Sequence, residues 1–378
     1  MSDTLATLDT PAAVIDVARM QRNIARMQDR AHSLNVRFRP HVKTSKCAEV
    51  VRAQCAAGAQ GITVSTLKEA EQFFEQGLRD ILYAVGMAPQ RLAHAMALRR
   101  RGCALKIITD SVAGAQAIAD FGRQHGEAFE VLIEVDTDGH RSGIKPGEDT
   151  LLDVASLLHG AGMRLEGVLT HAGSSYELHT PQALATLAEQ ERAGCVQAAE
   201  RLRAAALPCP TVSVGSTPTA LHAASLDGVT ELRAGVYVFF DLVMRNVGVC
   251  RSDEIALSVL STVIGHQIEK GWAIIDAGWM AMSRDRGTAS QGEDVGYGLV
   301  CTQGGEPIDG YLLSSANQEH GILSRTGLPD PDIATRFPLG MRLRILPNHA
   351  CATGAQFTRY HALADDGSVQ DWSRFHGW

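Results

Sequence analysis

The chain has 378 residues, 45% of them hydrophobic and 20% charged, with a formal net charge of −7. It is long enough for a barrel with an appended domain and apolar enough for a sizeable core. No apolar run reaches the length of a bilayer span, and the one basic block, Arg99-Arg100-Arg101, reads as the solvated end of a helix, so neither membrane nor nucleic acid is expected as a partner. The start, Met1-Ser2-Asp3-Thr4, shows no basic region followed by an apolar stretch, and the eight cysteines are scattered without a close pair. Both features predict a cytoplasmic protein with reduced thiols.

In chain order, a strand at Ala12–Asp16 and a helix at Val17–Leu34 come first. Short apolar runs that read as strands follow at Val36–Val42, Gly61–Ser65, Asp80–Val85, Leu105–Thr109, Glu130–Asp136, Leu165–His171, Thr211–Gly215 and Leu232–Val236. Between them lie segments rich in Ala, Leu and Arg that predict helices: Glu49–Ala57, Leu67–Glu75, Arg91–Arg101, Val112–Gln124 and Gln182–Ala206. Eight strands alternating with helices over about 200 residues predict an α/β fold of the (β/α)8 TIM-like barrel type, for which ~250 residues is usual. A doubly wound open sheet is the rival. The strand count and the absence of a Gly-rich fingerprint after the first strand favour the barrel. After Phe240 the helical period fades, and alternating runs appear at Ala256–His266, Trp272–Ile275, Gly310–Leu313 and Met341–Leu346. The expected organisation is a barrel over residues 17–240 and a β-rich domain over 241–378, joined by the N-terminal strand 1–16, without a low-complexity linker.

In such barrels the chemistry sits at the C-terminal ends of the strands. Lys43 follows the first strand, Arg141 the fifth and Tyr237 the eighth, and His171 ends the sixth. Gly215-Ser216-Thr217 follows the seventh, where a phosphate is commonly held. The alternative for that turn is an ordinary helix cap. A lysine at the end of an apolar strand is expected to leave water, which favours the neutral amine that a Schiff base needs. The alternative is a snorkelling surface lysine. A phosphate site in the same mouth tips the balance, because phosphate plus Schiff-base lysine describes pyridoxal phosphate (PLP). In Pro347-Asn348-His349-Ala350-Cys351-Ala352-Thr353, an extended backbone would turn His349 and Cys351 to one face, where they could bind one metal. A thiolate ligand favours zinc over magnesium. The alternative is a half-buried cysteine beside a solvated histidine. Asp136, Asp138 and His140 read as a polar loop, and Asn317-Gln318-Glu319-His320 as another. Trp272, Trp279, Met280 and Met282 read as core.

The segments Arg39-Pro40-His41-Val42-Lys43-Thr44, Thr170-His171-Ala172-Gly173, Val214-Gly215-Ser216-Thr217-Pro218-Thr219, Arg233-Ala234-Gly235-Val236-Tyr237 and His349-Ala350-Cys351 together resemble the fold-type III PLP enzymes. Within these the chain is similar to the D-serine dehydratase and D-threonine aldolase branch, from Leu8-Asp9-Thr10-Pro11 to Trp378. The resemblance implies an alanine-racemase-type N-terminal barrel with a C-terminal β-rich domain. It implies that Lys43 is the catalytic, PLP-bearing lysine and that His349 and Cys351 hold a divalent metal, with manganese, cobalt and magnesium as alternatives to zinc. Gly215, Ser216, Thr217 and Tyr237 then form the phosphate cup, and Arg141, His171 and Tyr176 line the ring and the substrate. Aldolases of the branch carry an acidic residue where this chain has Cys351, so the implied reaction is dehydration of a β-hydroxy D-amino acid to a keto acid and ammonia. 3-Hydroxyaspartate, giving oxaloacetate, is the first choice of substrate; D-serine dehydration and D-threonine cleavage are the alternatives. The resemblance also implies a homodimer. A non-catalytic PLP carrier is a further rival, against which the β-rich region and its His-Cys pair count.

Overall fold

The structure is a computed structural model that describes residues 4–378. Met1-Ser2-Asp3, on which the expectation of a missing leader and the first part of the strand 1–16 rest, lies outside the described residues. The chain divides into two compact units. One holds Arg26–Lys43 and Val51–Gly235 with the last two residues. The other holds the chain up to Ala25, Thr44–Val50 and Val236–His376. The segment Thr44–Val50, just past Lys43, thus clusters with the second unit.

The first unit is an eight-stranded parallel sheet: β2 (Arg37–Pro40), β3 (Ile62–Val64), β4 (Asp80–Gly86), β5 (Ala104–Thr109), β6 (Glu130–Glu134), β7 (Arg164–Leu169), β8 (Thr211–Val214) and β9 (Glu231–Ala234). The order β2-β9-β8-β7-β6-β5-β4-β3 runs almost full circle, and a single bridge between His41 and Thr63 closes it. All eight expected strands are present, with ends moved by one or two residues. They were readable because strands covered on both faces are continuously apolar. Leu82, Ile108, Leu132 and Leu169, from four successive strands, form one buried cluster. Polar groups are buried in this unit too: Arg39 joins Glu231 at 2.8 Å and Asp80 at 2.9 Å.

The second unit is a nine-stranded sheet: β1 (Ala12–Asp16), β10 (Leu257–Gln267), β11 (Trp272–Ile275), β12 (Gly298–Thr302), β13 (Pro307–Ala316), β14 (Gly321–Arg325), β15 (Arg342–Pro347), β16 (Arg359–Leu363) and β17 (Val369–Ser373). Because β10 pairs with both β11 and β15, six of its strands close on themselves. Val259, Val263, Ile275, Val300, Leu313, Leu323, Phe337 and Ile345 fill that ring. β1 extends the sheet beside β10 and carries β16 and β17. Met282 is buried as expected, but Met280 is exposed. No helix among the described residues is long and apolar enough to cross a membrane.

Candidate active site

In the barrel unit the chemistry gathers beyond the strand ends. His171 lies just past β7, and its Nδ1 stands 3.0 Å from the Gly215 carbonyl oxygen. A carbonyl only accepts, so Nδ1 carries the proton and Nε2 keeps its lone pair. Burial, followed by the charges of Lys43, Arg233 and Arg141, brings the His171 imidazole down to about 4. Burial, then Lys43 and Arg233, also holds His41 well below the ordinary histidine value. Two neutral imidazoles therefore lie within the field of three cations, a setting that suits a dianionic phosphate and carboxylates. Tyr176, on the turn Gly173–Glu177, faces His171 with ring centroids 6.3 Å apart.

Gly215 has φ 130°, and a Cβ there would meet the Arg233 carbonyl oxygen at 2.1 Å, so the close turn requires glycine. Its N–H donates to Glu191 Oε1 at 3.0 Å, and Glu191 also accepts from the Ala172 N–H at 2.9 Å. Burial raises the Glu191 carboxyl despite those donors. Ser216 caps the short helix Thr217–His222: its Oγ accepts from the Thr219 N–H and its own N–H donates to Thr219 Oγ1. The capping role weighed for this turn is thus present, and Ser216 Oγ also lies 2.8 Å from Ser175 Oγ.

In the β unit, β15 delivers Asn348 and His349 to the start of the short helix Ala350–Gly354. His349 is its N-cap and Cys351 lies in its first turn, so the extended backbone assumed for this pair is not found. The two groups come together all the same, close enough for the Cys351 charge to act strongly on the imidazole. A helix-entry turn brings neighbouring side chains to its open end, as a strand brings alternate ones to a face. His349 Nδ1 lies 2.6 Å from Asp285 Oδ2, which orients the ring and turns Nε2 the other way. Burial pulls the imidazole down, but the Cys351 charge and the bonds to Asp285 and Cys351 outweigh it and raise His349 to about 11. Asp241, fully buried, accepts from the Ala350 N–H at 2.9 Å and from the Met244 N–H at 2.9 Å. The Asn348 side chain donates to the Gly296 carbonyl, and the Asn348 backbone carbonyl accepts from the Val243 N–H. Thr44 Oγ1 lies 3.2 Å from Cys351 Sγ. The imidazole and thiol side by side, with a carboxylate behind the imidazole, are a donor set that fits a zinc-type ion. No group of three or more His, Cys, Asp or Glu arranged for a metal occurs among the described residues.

The sequence-based site residues fall as follows. Lys43, Arg141, His171, Tyr176, Gly215, Ser216 and Thr217 belong to the barrel unit; Tyr237, His349 and Cys351 belong to the other. Lys43 is exposed, so the expectation that its amine leaves water on folding is not met. Three residues past a barrel strand, it has left the sheet for a loop. Arg141 is also exposed and approaches Glu134 only at 3.7 Å. Tyr237 is buried in the turn Val236–Val238. Asp136 serves its own loop by accepting from the Gly139 N–H, while Asp138 accepts from the N–H and hydroxyl of Ser174 in the turn Gly173–Glu177. The residues not foreseen are Thr44, Glu191, Asp241 and Asp285. Glu191 had a signal, since it stands in the apolar stripe of the helix Pro181–Ala204 among Leu184, Leu187, Ala188 and Cys195.

Residues 15–243 match the model of the alanine racemase N-terminal domain, well over half of the chain. The chain belongs to that family. Residues 256–363 match a second model, the serine dehydratase domain, so this family member carries both parts in one chain. It is 72% identical to D-threo-3-hydroxyaspartate dehydratase of Delftia sp. strain HT23, with both chains covered in full. It is 28% identical to the D-serine dehydratase of Dictyostelium discoideum, covering 97% of this chain and 96% of the relative. It is 30% identical to a D-threonine aldolase of Arthrobacter sp., covering 98% and 92%. The solved structure of the Delftia enzyme superposes with a TM-score of 0.99, covering 100% of each chain. Two solved variants of that enzyme replace a histidine and a cysteine two positions further on, the second in a metal-free form.

Proposed function

We propose that this chain is a PLP- and divalent-metal-dependent dehydratase that converts D-threo-3-hydroxyaspartate to oxaloacetate and ammonia. The observation that carries the reading is the full-length identity to the Delftia enzyme, together with His349 and Cys351 at the same two-residue spacing as the pair replaced in its variants.

PLP supplies a sink for the electron pair released at Cα, and the metal supplies a Lewis acid for the departing β-hydroxyl. Lys43 would hold PLP through its amine, and the same amine would serve as the base for the Cα proton. Its exposure leaves the amine accessible to an incoming amino acid. Because the Ser216 hydroxyl caps a helix, Thr217 and the cations of the barrel mouth would be the main partners of the phosphate in the barrel unit, and Tyr237 is carried over from the resemblance alone. His171, neutral and fixed by Gly215, lines the PLP ring with Tyr176 and adds no competing charge. Arg141, exposed and only loosely engaged by Glu134, is placed to meet a substrate carboxylate. His349 Nε2 and Cys351 Sγ would hold the metal, with Asp285 fixing the imidazole and Asp241 fixing the backbone between them. A thiolate ligand would favour zinc. Thr44 belongs to the same unit as the proposed metal pair, and its Oγ1 lies 3.2 Å from Cys351 Sγ.

The same reading makes the protein a homodimer of the cytoplasm. None of its eight cysteines forms a disulfide, in keeping with a reducing compartment. Leu328 and Leu339 are exposed apolar side chains of the kind a partner covers, and sedimentation at two concentrations tests the dimer.

The deciding experiment is a keto-acid assay on D-threo-3-hydroxyaspartate, D-serine and D-threonine, with and without added zinc. Oxaloacetate formed fastest from hydroxyaspartate, and only with metal, is the expected result. Fastest release of pyruvate from D-serine would reassign the substrate, and glycine plus acetaldehyde from D-threonine would reassign the reaction.

A further inference from the structure

We infer that Thr44 is a positioning residue of the metal centre, its hydroxyl donating a hydrogen bond to the Cys351 thiolate. This deepens the proposed function and rests on Cys351 being a metal ligand. Thr44 Oγ1 stands 3.2 Å from Cys351 Sγ, and Thr44 is completely buried. An ionised sulfur has lone pairs and no proton, so in the metal-binding form only the hydroxyl can donate. A hydrogen bond to a ligating sulfur orients it and draws charge from it, which is how neighbours that never touch a metal tune its binding.

The backbone under this hydroxyl is held tightly. The carbonyl of Ser45 accepts from Tyr360 Oη at 3.0 Å, and that oxygen accepts from Arg374 Nε at 3.1 Å. The carbonyl of Lys46 accepts from the Phe375 N–H at 2.7 Å, and Cys47 bridges to Arg374. Across from it, the helix that carries Cys351 has Gly354 where a Cβ would press on Tyr360 Oη at 2.6 Å and stand 3.7 Å from the Thr44 carbonyl. Tyr360 of β16 and the residues just past β17 therefore hold both Thr44 and the Cys351 helix in place.

The test is cadmium NMR on holoenzyme stripped of its own metal and reloaded with Cd²⁺, a signal to which PLP does not contribute. Wild type should give a resonance in the thiolate-ligated range. In Thr44→Val, which keeps the shape and loses the O–H, the sulfur regains charge, the resonance moves downfield, and Cd²⁺ affinity falls by about tenfold. Thr44→Ser, which restores the donor, should return the resonance to the wild-type position. Should Thr44→Val fail to fold by circular dichroism, Thr44→Ala takes its place with the same expected shift. An unmoved resonance in the variant lacking the hydroxyl overturns the inference. So does a Thr44→Ser shift as large as that of Thr44→Val, which would make the role one of packing. If wild type gives no thiolate resonance, the metal reading itself fails; a wild-type thiolate resonance with no effect at Thr44 sinks Thr44 alone.

Discussion

His171 in the barrel unit and His349 in the β unit are both half-buried, yet they titrate at opposite ends of the scale, about 4 and about 11. Burial acts in the same direction on both. What differs is the company. His171 shares its surroundings with Lys43, Arg233 and Arg141, whereas His349 has Cys351, Asp285 and Asp241. The barrel unit has built a cationic pole with neutral imidazoles, ready for an anionic cofactor and substrate. The β unit has built an anionic nest that holds one positive charge, the place where the proposed divalent cation would bind.

That contrast can be broken from either side. The largest effect is expected at the cationic pole: Lys43→Ala should lose all measurable turnover and the visible absorbance of protein-bound PLP. A yellow, active variant would refute the assignment of Lys43. At the anionic nest, a chelator or Cys351→Ala should lower the dehydration rate by about a thousandfold, the scale expected when a Lewis acid worth several kcal/mol is removed. PLP absorbance should persist, and metal analysis should fall in step with the rate; turnover at full rate in metal-free enzyme would end the Lewis-acid role.

A third, smaller effect sharpens the comparison through pH. His171 is lowered in the folded protein, so as pH falls the unfolded chain takes up its proton first, near 6.5, and the folded chain only near 4. In protein stripped of PLP and metal, its contribution to stability is complete above pH 6.5 and is lost between 6.5 and 4, by about 3 kcal/mol. Denaturant unfolding of wild type and His171→Gln across that range should show the wild-type curve falling more steeply; parallel curves would mean that His171 is not held neutral. The smallest effect is expected at Asp285→Asn, which keeps a bond to His349 Nδ1 but removes the charge behind it. Zinc affinity measured by competition with a chromophoric chelator should fall by about tenfold, with PLP binding unchanged.

Much of the fold could be read along the chain. The eight barrel strands announce themselves as apolar runs between helical segments, and β11 was placed residue for residue at Trp272–Ile275. β12, β14, β16 and β17 were not foreseen. They are short strands of an antiparallel sheet, and weak alternation over five residues does not stand out from a loop. The chemistry divides in the same way. Lys43, His171, Gly215, His349 and Cys351 were visible as residue types in telling places.

Sequence alone determined the order of the elements and the reactive side chains they carry, because periodicity and motif are local properties of a chain. Tertiary structure alone decided what surrounds those side chains. Asp285 reaches His349 across 64 positions, Asp241 reaches Ala350 across 109, and Thr44 reaches Cys351 across 307. It also placed the His-Cys pair on a helix start rather than a strand, and left Lys43 exposed. Charge and hydrogen bonding act through space, so one imidazole could become an acid near pH 4 and another near pH 11 only after folding had chosen their neighbours.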